Sequence, residues 1–170
     1  VAGGVVNGGV QVHLNTNTDG VDRQVVEGLV DNKICDDGHS WLLDFDHVMY
    51  IFPPHVDFRG SNAYAQGRTG NKSVYNGESG NFLTVTVHEV GHNLGLPHSG
   101  ANGNSYGDNS GYMGNPLIPG ENLDKPQLCF NAAKSWFLGW YVDGHESVTS
   151  AGWSGQLVGI DDFNNGLFDH

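Results

Sequence analysis

The chain has few basic residues and no long apolar segment. Only 7 of its 170 residues are Lys or Arg, against 19 Asp and Glu, and the formal net charge is −12. Nucleic acid and anionic membranes are bound through clustered positive charge, so both are poor partners for this chain. No stretch approaches the roughly 20 apolar residues that a membrane-spanning helix needs. The acidic balance chiefly indicates a soluble surface.

Cysteine and methionine are also scarce, with two of each: Cys35 and Cys129, Met49 and Met113. Two cysteines allow at most one disulfide, and a chain of this length can bury a core without obligatory cross-links. Glycine is frequent, at 26 residues, but it is spread along the chain, which indicates many loops rather than low complexity. No internal repeat or linker marks a second domain, so residues 1–170 are predicted to form a single one.

One histidine-rich run has the spacing of a metal site. Residues 88–98 read HEVGHNLGLPH. On a helix, His88 and His92 lie one turn apart on the same face, so both imidazoles can reach one metal ion. Gly95 can adopt the left-handed conformation that ends a helix, which lets His98 return as a third ligand. Three imidazoles leave one position of a tetrahedral zinc open, and this predicts a catalytic rather than a structural zinc site.

Glu89 stands beside these ligands and projects toward the same space. It is placed to take a proton from a zinc-bound water rather than to bind the metal, which predicts metal-assisted hydrolysis with Glu89 as general base. A bare H-E-x-x-H also arises by chance on helices, but that alternative leaves Gly95 and His98 unexplained. The other histidines have no partners at ligand spacing, and His13 is predicted to be exposed.

The run resembles the motif of the metzincin metallopeptidases, H-E-x-x-H-x-x-G-x-x-H followed by a Met-turn. Met113, within Tyr112-Met113-Gly114, is the candidate Met-turn. The resemblance implies that Met113 forms a hydrophobic floor under the metal without binding it; an ordinary core filler is the alternative. Asn115 stands where astacin-like and serralysin-like enzymes carry a tyrosine, so a tyrosine fifth ligand is not supported.

Further segments are similar to the gametolysin family (peptidase family M11). They are DHVMY at 46–50, AYA at 63–65, GDNS at 107–110, CFNAAK at 129–134 and LGWY at 138–141. The resemblance covers roughly residues 44–142. Matrix metalloproteinases rank second, because their second histidine-rich zinc segment is not visible here.

This resemblance implies an α+β fold, the two-lobed metzincin catalytic domain. An upper lobe of about residues 1–95 holds a twisted mixed sheet with helices, and an irregular lower lobe of about 96–170 carries His98 and the Met-turn. The implied protein is a secreted, monomeric zinc endopeptidase that cuts extracellular matrix or cell-wall proteins. In such enzymes an extended peptide pairs with an edge strand, here Ala63, Tyr64 and Ala65, for which an ordinary edge strand is the alternative.

Secretion favours a disulfide between Cys35 and Cys129, with two buried thiols as the alternative. Asp36-Asp37 and Asp161-Asp162 offer oxygen ligands for calcium. Neither pair has the ligand ladder of a known calcium loop, so solvated turns are the preferred interpretation.

Periodicity and capping residues predict the elements that frame the site. Asp19 or Asp22 is the expected cap of a first helix. The strand predicted at Phe45–Phe52 is expected to be central in the sheet because it is more apolar than the strand predicted at Gly9–Asn15. The predicted strands are Gly9–Asn15, Phe45–Phe52, Gly60–Gly67 and Gln156–Ile160, and the further helices are Leu83–Leu94 and Phe130–Leu138.

Two other functions compete with the peptidase. A non-catalytic binding module that kept its zinc centre would most simply lack the general base, and Glu89 argues against it. A zinc hydrolase of a non-peptide bond is chemically permitted, and only the family resemblance opposes it.

Overall fold

The computed structural model describes residues 5–6, 9–67, 70–115, 128–142, 152 and 154. Val1–Trp140 form one compact unit and Tyr141–His170 a second, and the site lies in the first. The predicted strand Gln156–Ile160 and the acidic pair Asp161-Asp162 lie outside the described residues. The elements are β1 (Val5–Val6), β2 (Gly9–Val10), α1 (Arg23–Asp36), α2 (Trp41–Asp44), β3 (Val48–Phe52), β4 (Ala63–Ala65), β5 (Lys72–Asn76), a 3-10 helix (Gly77–Asn81), α3 (Leu83–Asn93) and α4 (Ala132–Phe137).

Helix α1 begins where the sequence predicts and supplies three buried residues to the core cluster on the sheet. The Asp22 carboxylate accepts a hydrogen bond from the Gln24 N–H at 2.9 Å, so Asp22 rather than Asp19 is the cap. Val26, Val30 and Ile34 are buried against aromatic residues of the sheet. The buried face of α1 is narrow, since the neighbouring apolar residues Val25 and Leu29 are 55% and 37% exposed.

The main sheet has three strands in the order β3-β5-β4, with β5 parallel to β3 and antiparallel to β4. The prediction that β3 is central is therefore wrong for the described sheet. Its outward-facing residues Met49 and Ile51 are exposed, whereas Tyr50 and Phe52 face the core. The apolar run at 45–52 reflects one buried face plus exposed apolar residues, rather than burial on both faces.

The central strand β5 was not predicted, because it begins with a lysine that is fully buried. The Lys72 ammonium lies 2.6 Å from a Glu27 carboxylate oxygen and 2.8 Å from one of Asp31, both on α1. The Tyr50 hydroxyl also donates to Asp31, at 2.8 Å. This paired charge joins α1 to the sheet and makes burial of Lys72 tolerable.

The N-terminal strand is shorter than predicted. β2 pairs antiparallel with β1 and ends at Val10, although Val12 and Leu14 still pack against the core while His13 is exposed. The alternation of apolar residues therefore predicted the buried face correctly, although residues 11–15 do not form a strand. Helices packed on a small mixed sheet make the protein α+β, as expected; the division into two metzincin lobes stays a prediction.

The two cysteines do not form the predicted disulfide. Cys35 at the end of α1 and Cys129 before α4 are both free thiols, and both are exposed. The alternative of two buried thiols is wrong as well. The disulfide was predicted only because secretion was expected, and secretion does not determine whether the fold brings the two sulfurs together.

Candidate metal centre

Helix α3 carries the first two histidines and ends where the motif requires. Its last residue is Asn93, and Gly95 follows with φ of 89°, in the left-handed region. The Gly95 N–H donates to the His92 carbonyl and the Leu96 N–H to the Gly91 carbonyl, both at 2.9 Å. This pair of bonds closes the helix and turns the chain back toward it, as predicted.

The turn brings His88, His92 and His98 together. One ring nitrogen from each lies within 4.8 Å of the others, and this is the only such cluster of His, Cys, Asp or Glu in the described part of the chain. Nε2 of His92 and Nε2 of His98 are 3.0 Å apart. Tetrahedral zinc, with Zn–N bonds of about 2.0–2.1 Å, holds two ligand nitrogens about 3.3 Å apart. The spacing therefore fits a zinc-sized cation.

Main-chain carbonyls fix the ring orientation and the tautomer of the two histidines on α3. Nδ1 of His88 lies 2.6 Å from the Tyr112 carbonyl oxygen, and Nδ1 of His92 lies 2.8 Å from that of Leu96. A carbonyl only accepts, so each Nδ1 carries the proton and each Nε2 presents a lone pair. Hydrogen bonds of this kind orient metal-binding imidazoles.

Burial keeps the three imidazoles neutral, which is the state that binds metal. It lowers the pKa of His88 to about 4, against the weaker opposing effect of the Tyr112 carbonyl. It also lowers the pKa of His92 and that of His98. Three neutral nitrogen donors at this spacing suit zinc in both charge state and geometry.

Glu89, the residue after His88 on α3, is a buried carboxylate. Only 7% of it is exposed, and burial raises its pKa to about 7. It has no hydrogen-bond partner among the described residues. Burial and, to a lesser extent, the charge of Glu89 raise the pKa of Tyr106, whose ring contacts His98. A carboxylate with a pKa near neutrality is suited to accept and return a proton.

Met113 packs directly against α3, the helix that carries His88 and His92. It is 1% exposed and shares a buried cluster with Leu96, Tyr112 and Phe130. A Cβ on Gly91 would lie only 2.4 Å from its Sδ, so the absence of a side chain at Gly91 lets the methionine approach α3 between the two helical histidines. This position is that of a core residue under the helix; the Met-turn role stays a prediction.

Helix α4 holds the segment that carries His98. The Lys134 ammonium donates to the His98 carbonyl at 3.2 Å, and the Asn131 amide donates to the Asp108 carboxylate at 2.9 Å. Ser99 joins the same loop to the Met113 carbonyl through its N–H, at 2.6 Å. Sequence reasoning singled out residues 129–134 but did not assign Asn131 and Lys134 this supporting role.

Tyr106 is the site residue that sequence reasoning missed. Its ring centroid lies 3.9 Å from that of His98, and its plane is within 17° of the His88 ring at 6.0 Å. It stands in a Gly-, Asn- and Ser-rich loop without periodicity. The one available signal is that no other aromatic residue occurs between His98 and Tyr112.

The predicted substrate strand is present as β4. Ala63, Tyr64 and Ala65 pair with β5 on one side, and β4 is an edge of the described sheet. The Tyr64 hydroxyl donates to Glu27. This side chain therefore contacts the charged group that Glu27 and Asp31 of α1 form with Lys72. Only the main chain of β4 is then suited to contact a peptide.

Fold and site together describe an α+β protein in which three histidines lie close enough together to hold one metal ion. The family model for gametolysin peptidase M11 matches residues 3–160, and the chain belongs to this family. Autolysin of Chlamydomonas reinhardtii is 34% identical over 96 residues, which is 54% of this chain. The chain spans 14% of the length of that curated relative. No solved structure matches it.

Family membership confirms the predicted resemblance and supports a metallopeptidase-like function. None of the helices in the described ranges is long and apolar enough to cross a membrane.

Proposed function

We propose that the chain is the catalytic domain of a zinc-dependent endopeptidase with the two-lobed metzincin fold. The observation that carries this proposal is the convergence of His88, His92 and His98, together with the buried carboxylate of Glu89, which follows His88 on α3. A structural zinc site would close the coordination sphere with a fourth protein ligand, and no fourth His, Cys, Asp or Glu joins the cluster among the described residues.

The three histidines would hold the zinc, each through one ring nitrogen. When bound, zinc supplies Lewis acidity toward a water molecule and toward the carbonyl of the peptide bond. Glu89 accepts the proton of the attacking water and then delivers it to the leaving amine, so the residue ends the cycle in the state in which it began. Burial suits Glu89 to both halves of this exchange, because its pKa of about 7 lies near the working pH.

The substrate is a protein chain bound in extended form. The outer main-chain edge of β4, at Ala63–Ala65, would pair with it as an added strand. The gametolysin resemblance favours secretion and action on extracellular matrix or cell-wall proteins. We further propose that the chain works as a monomer.

The test pairs zinc content with cleavage of an unfolded protein such as casein. It compares the native chain with Glu89→Gln and with Glu78→Gln, an exposed glutamate five residues before the start of α3. We expect about one zinc per chain in all three. Removal of the general base should lower kcat for casein by about 10²–10⁴-fold, whereas Glu78→Gln should match the native chain.

Three results would count against this proposal. A native chain that takes up no zinc would refute the metal centre. Equal cleavage by the native chain and Glu89→Gln would refute the role of Glu89, and zinc without cleavage of any peptide would favour a non-catalytic binding module. An ester substrate panel would reveal hydrolysis of a non-peptide bond.

A further inference from the structure

His98 has the weakest support of the three candidate ligands. His88 and His92 stand on a helix, and a carbonyl holds Nδ1 of each. His98 stands on the loop after Gly95 and is less buried than the other two. No hydrogen bond to its Nδ1 is found in the described part of the chain. Lys134 holds its carbonyl, which fixes the main chain but leaves the imidazole free to rotate.

The ring of Tyr106 supplies the missing restraint. Its centroid lies 3.9 Å from that of His98 with the planes 36° apart, which is a direct but tilted contact between the two rings. The same ring is nearly parallel to His88, at 17° and 6.0 Å. It therefore limits rotation of the His98 imidazole away from the cluster. Tyr106 is still 40% exposed, so it forms the outer wall of the site rather than part of the core.

The loop holds the main chain of Tyr106 in this position. The Tyr106 N–H donates to the Asn104 side chain at 2.9 Å, and its carbonyl accepts from the Asn115 N–H at 3.2 Å. Gly107, the next residue, lies so close to Ala101 that a Cβ would be 2.5 Å from the Ala101 carbonyl oxygen. These bonds fix the main chain on both sides of Tyr106, while the ring itself is in contact with His98 and stacked near His88.

We propose that Tyr106 is a positioning residue for the metal centre, whose ring, and not its hydroxyl, keeps the imidazole of His98 in the ligand orientation. This rests on the proposed zinc-binding function of the cluster. Removing a group that orients a metal ligand typically lowers metal affinity by about 10–100-fold. The hydroxyl contributes nothing to this, because the contact with His98 is between the two rings.

The experiment measures the Kd for Zn²⁺ by chelator competition and the visible absorption of the Co²⁺-loaded chain. It compares the native chain with Tyr106→Phe, Tyr106→Leu and Tyr106→Ala. We expect Tyr106→Phe to match the native chain in both readouts. Tyr106→Ala and Tyr106→Leu should raise the Kd about 10–100-fold and shift the Co²⁺ bands. Leucine keeps apolar volume without a flat face, so it serves if the alanine variant does not fold.

Three results would overturn the inference. Zinc affinity of the leucine and alanine variants within threefold of native would show that the ring does not position His98. A phenylalanine variant as weak as the alanine variant would assign the effect to the hydroxyl. No zinc binding by the native chain would refute the proposed function itself, and the inference with it. Urea unfolding of the metal-free variants separates these results from a loss of fold.

Discussion

Met113 fills the space beside α3 that the absence of a side chain at Gly91 leaves open. A Cβ on Gly91 would lie 2.4 Å from the Met113 Sδ and 3.1 Å from a ring carbon of Phe130. Met113 is 1% exposed, so its sulfur has little room to move. The neighbouring Tyr112 carbonyl holds Nδ1 of His88, which links this packing to the geometry of the site.

Gly91→Ala should therefore destabilise the protein and disturb the metal centre. An overpacked core position costs about 1–3 kcal/mol of unfolding free energy, and displacement of the turn should weaken zinc binding as well. Urea unfolding and zinc competition measure the two effects. Gly28→Ala is the matched control, because that helical glycine has nothing within 4 Å of its added Cβ. It should gain about 0.5–1 kcal/mol. Equal stability of the two variants would contradict the packing argument.

Lys72 is the residue whose loss should damage the fold most. Lys72→Met removes the ammonium that lies between Glu27 and Asp31 and leaves two carboxylates beside the core. Breaking a buried pair from one side costs about 3–5 kcal/mol. Lys33→Met breaks a partly exposed pair with Asp37 at the end of α1, so it should lower the urea midpoint much less than Lys72→Met does. Similar losses in both variants would show that the burial of Lys72 carries no special cost.

Asn131 should prove to serve both α4 and the His98 loop. Its Oδ1 caps α4 by accepting from the Lys134 N–H at 3.1 Å, and its amide donates to the Asp108 carboxylate at 2.9 Å. Asn131→Asp keeps the cap but places two carboxylates together, which should cost about 1 kcal/mol of stability and weaken zinc binding. Asn131→Ser keeps a cap oxygen without the repulsion and should bind zinc more tightly than the aspartate variant. The reverse order of the two zinc Kd values would contradict this role.

The cap of α1 should make the metal-free protein sensitive to acid. The Gln24 N–H and then Arg59 hold the pKa of Asp22 below its ordinary value of 3.8. A lowered folded pKa contributes stability above pH 3.8, and that contribution is lost as the pH falls through the folded pKa. Asp22→Asn keeps a capping side chain but cannot ionise. Its thermal midpoint should fall less than that of the native chain between pH 5 and pH 2. Parallel curves would contradict the assignment.

Periodicity found the elements whose buried face is apolar and local. Helix α1 and its cap at Asp22, strand β4 and helix α3 were all predicted within a few residues. Strand β5 was missed because Lys72 reads as exposed until α1 supplies its counter-charges. The supposed central place of β3 failed for a related reason, since an apolar run does not reveal which strand lies between two others.

Within the site, the sequence alone determined which residues form the three-histidine cluster. The spacing of His88, His92 and His98, with Gly95 to turn the chain, is a local geometric requirement that eleven residues contain in full. Only the tertiary structure decided what holds and surrounds them. The Tyr112 carbonyl, the Lys134 ammonium and the Tyr106 ring come from segments without periodicity or ligand spacing. Their contacts with the cluster exist only because the loop and α4 fold back on α3.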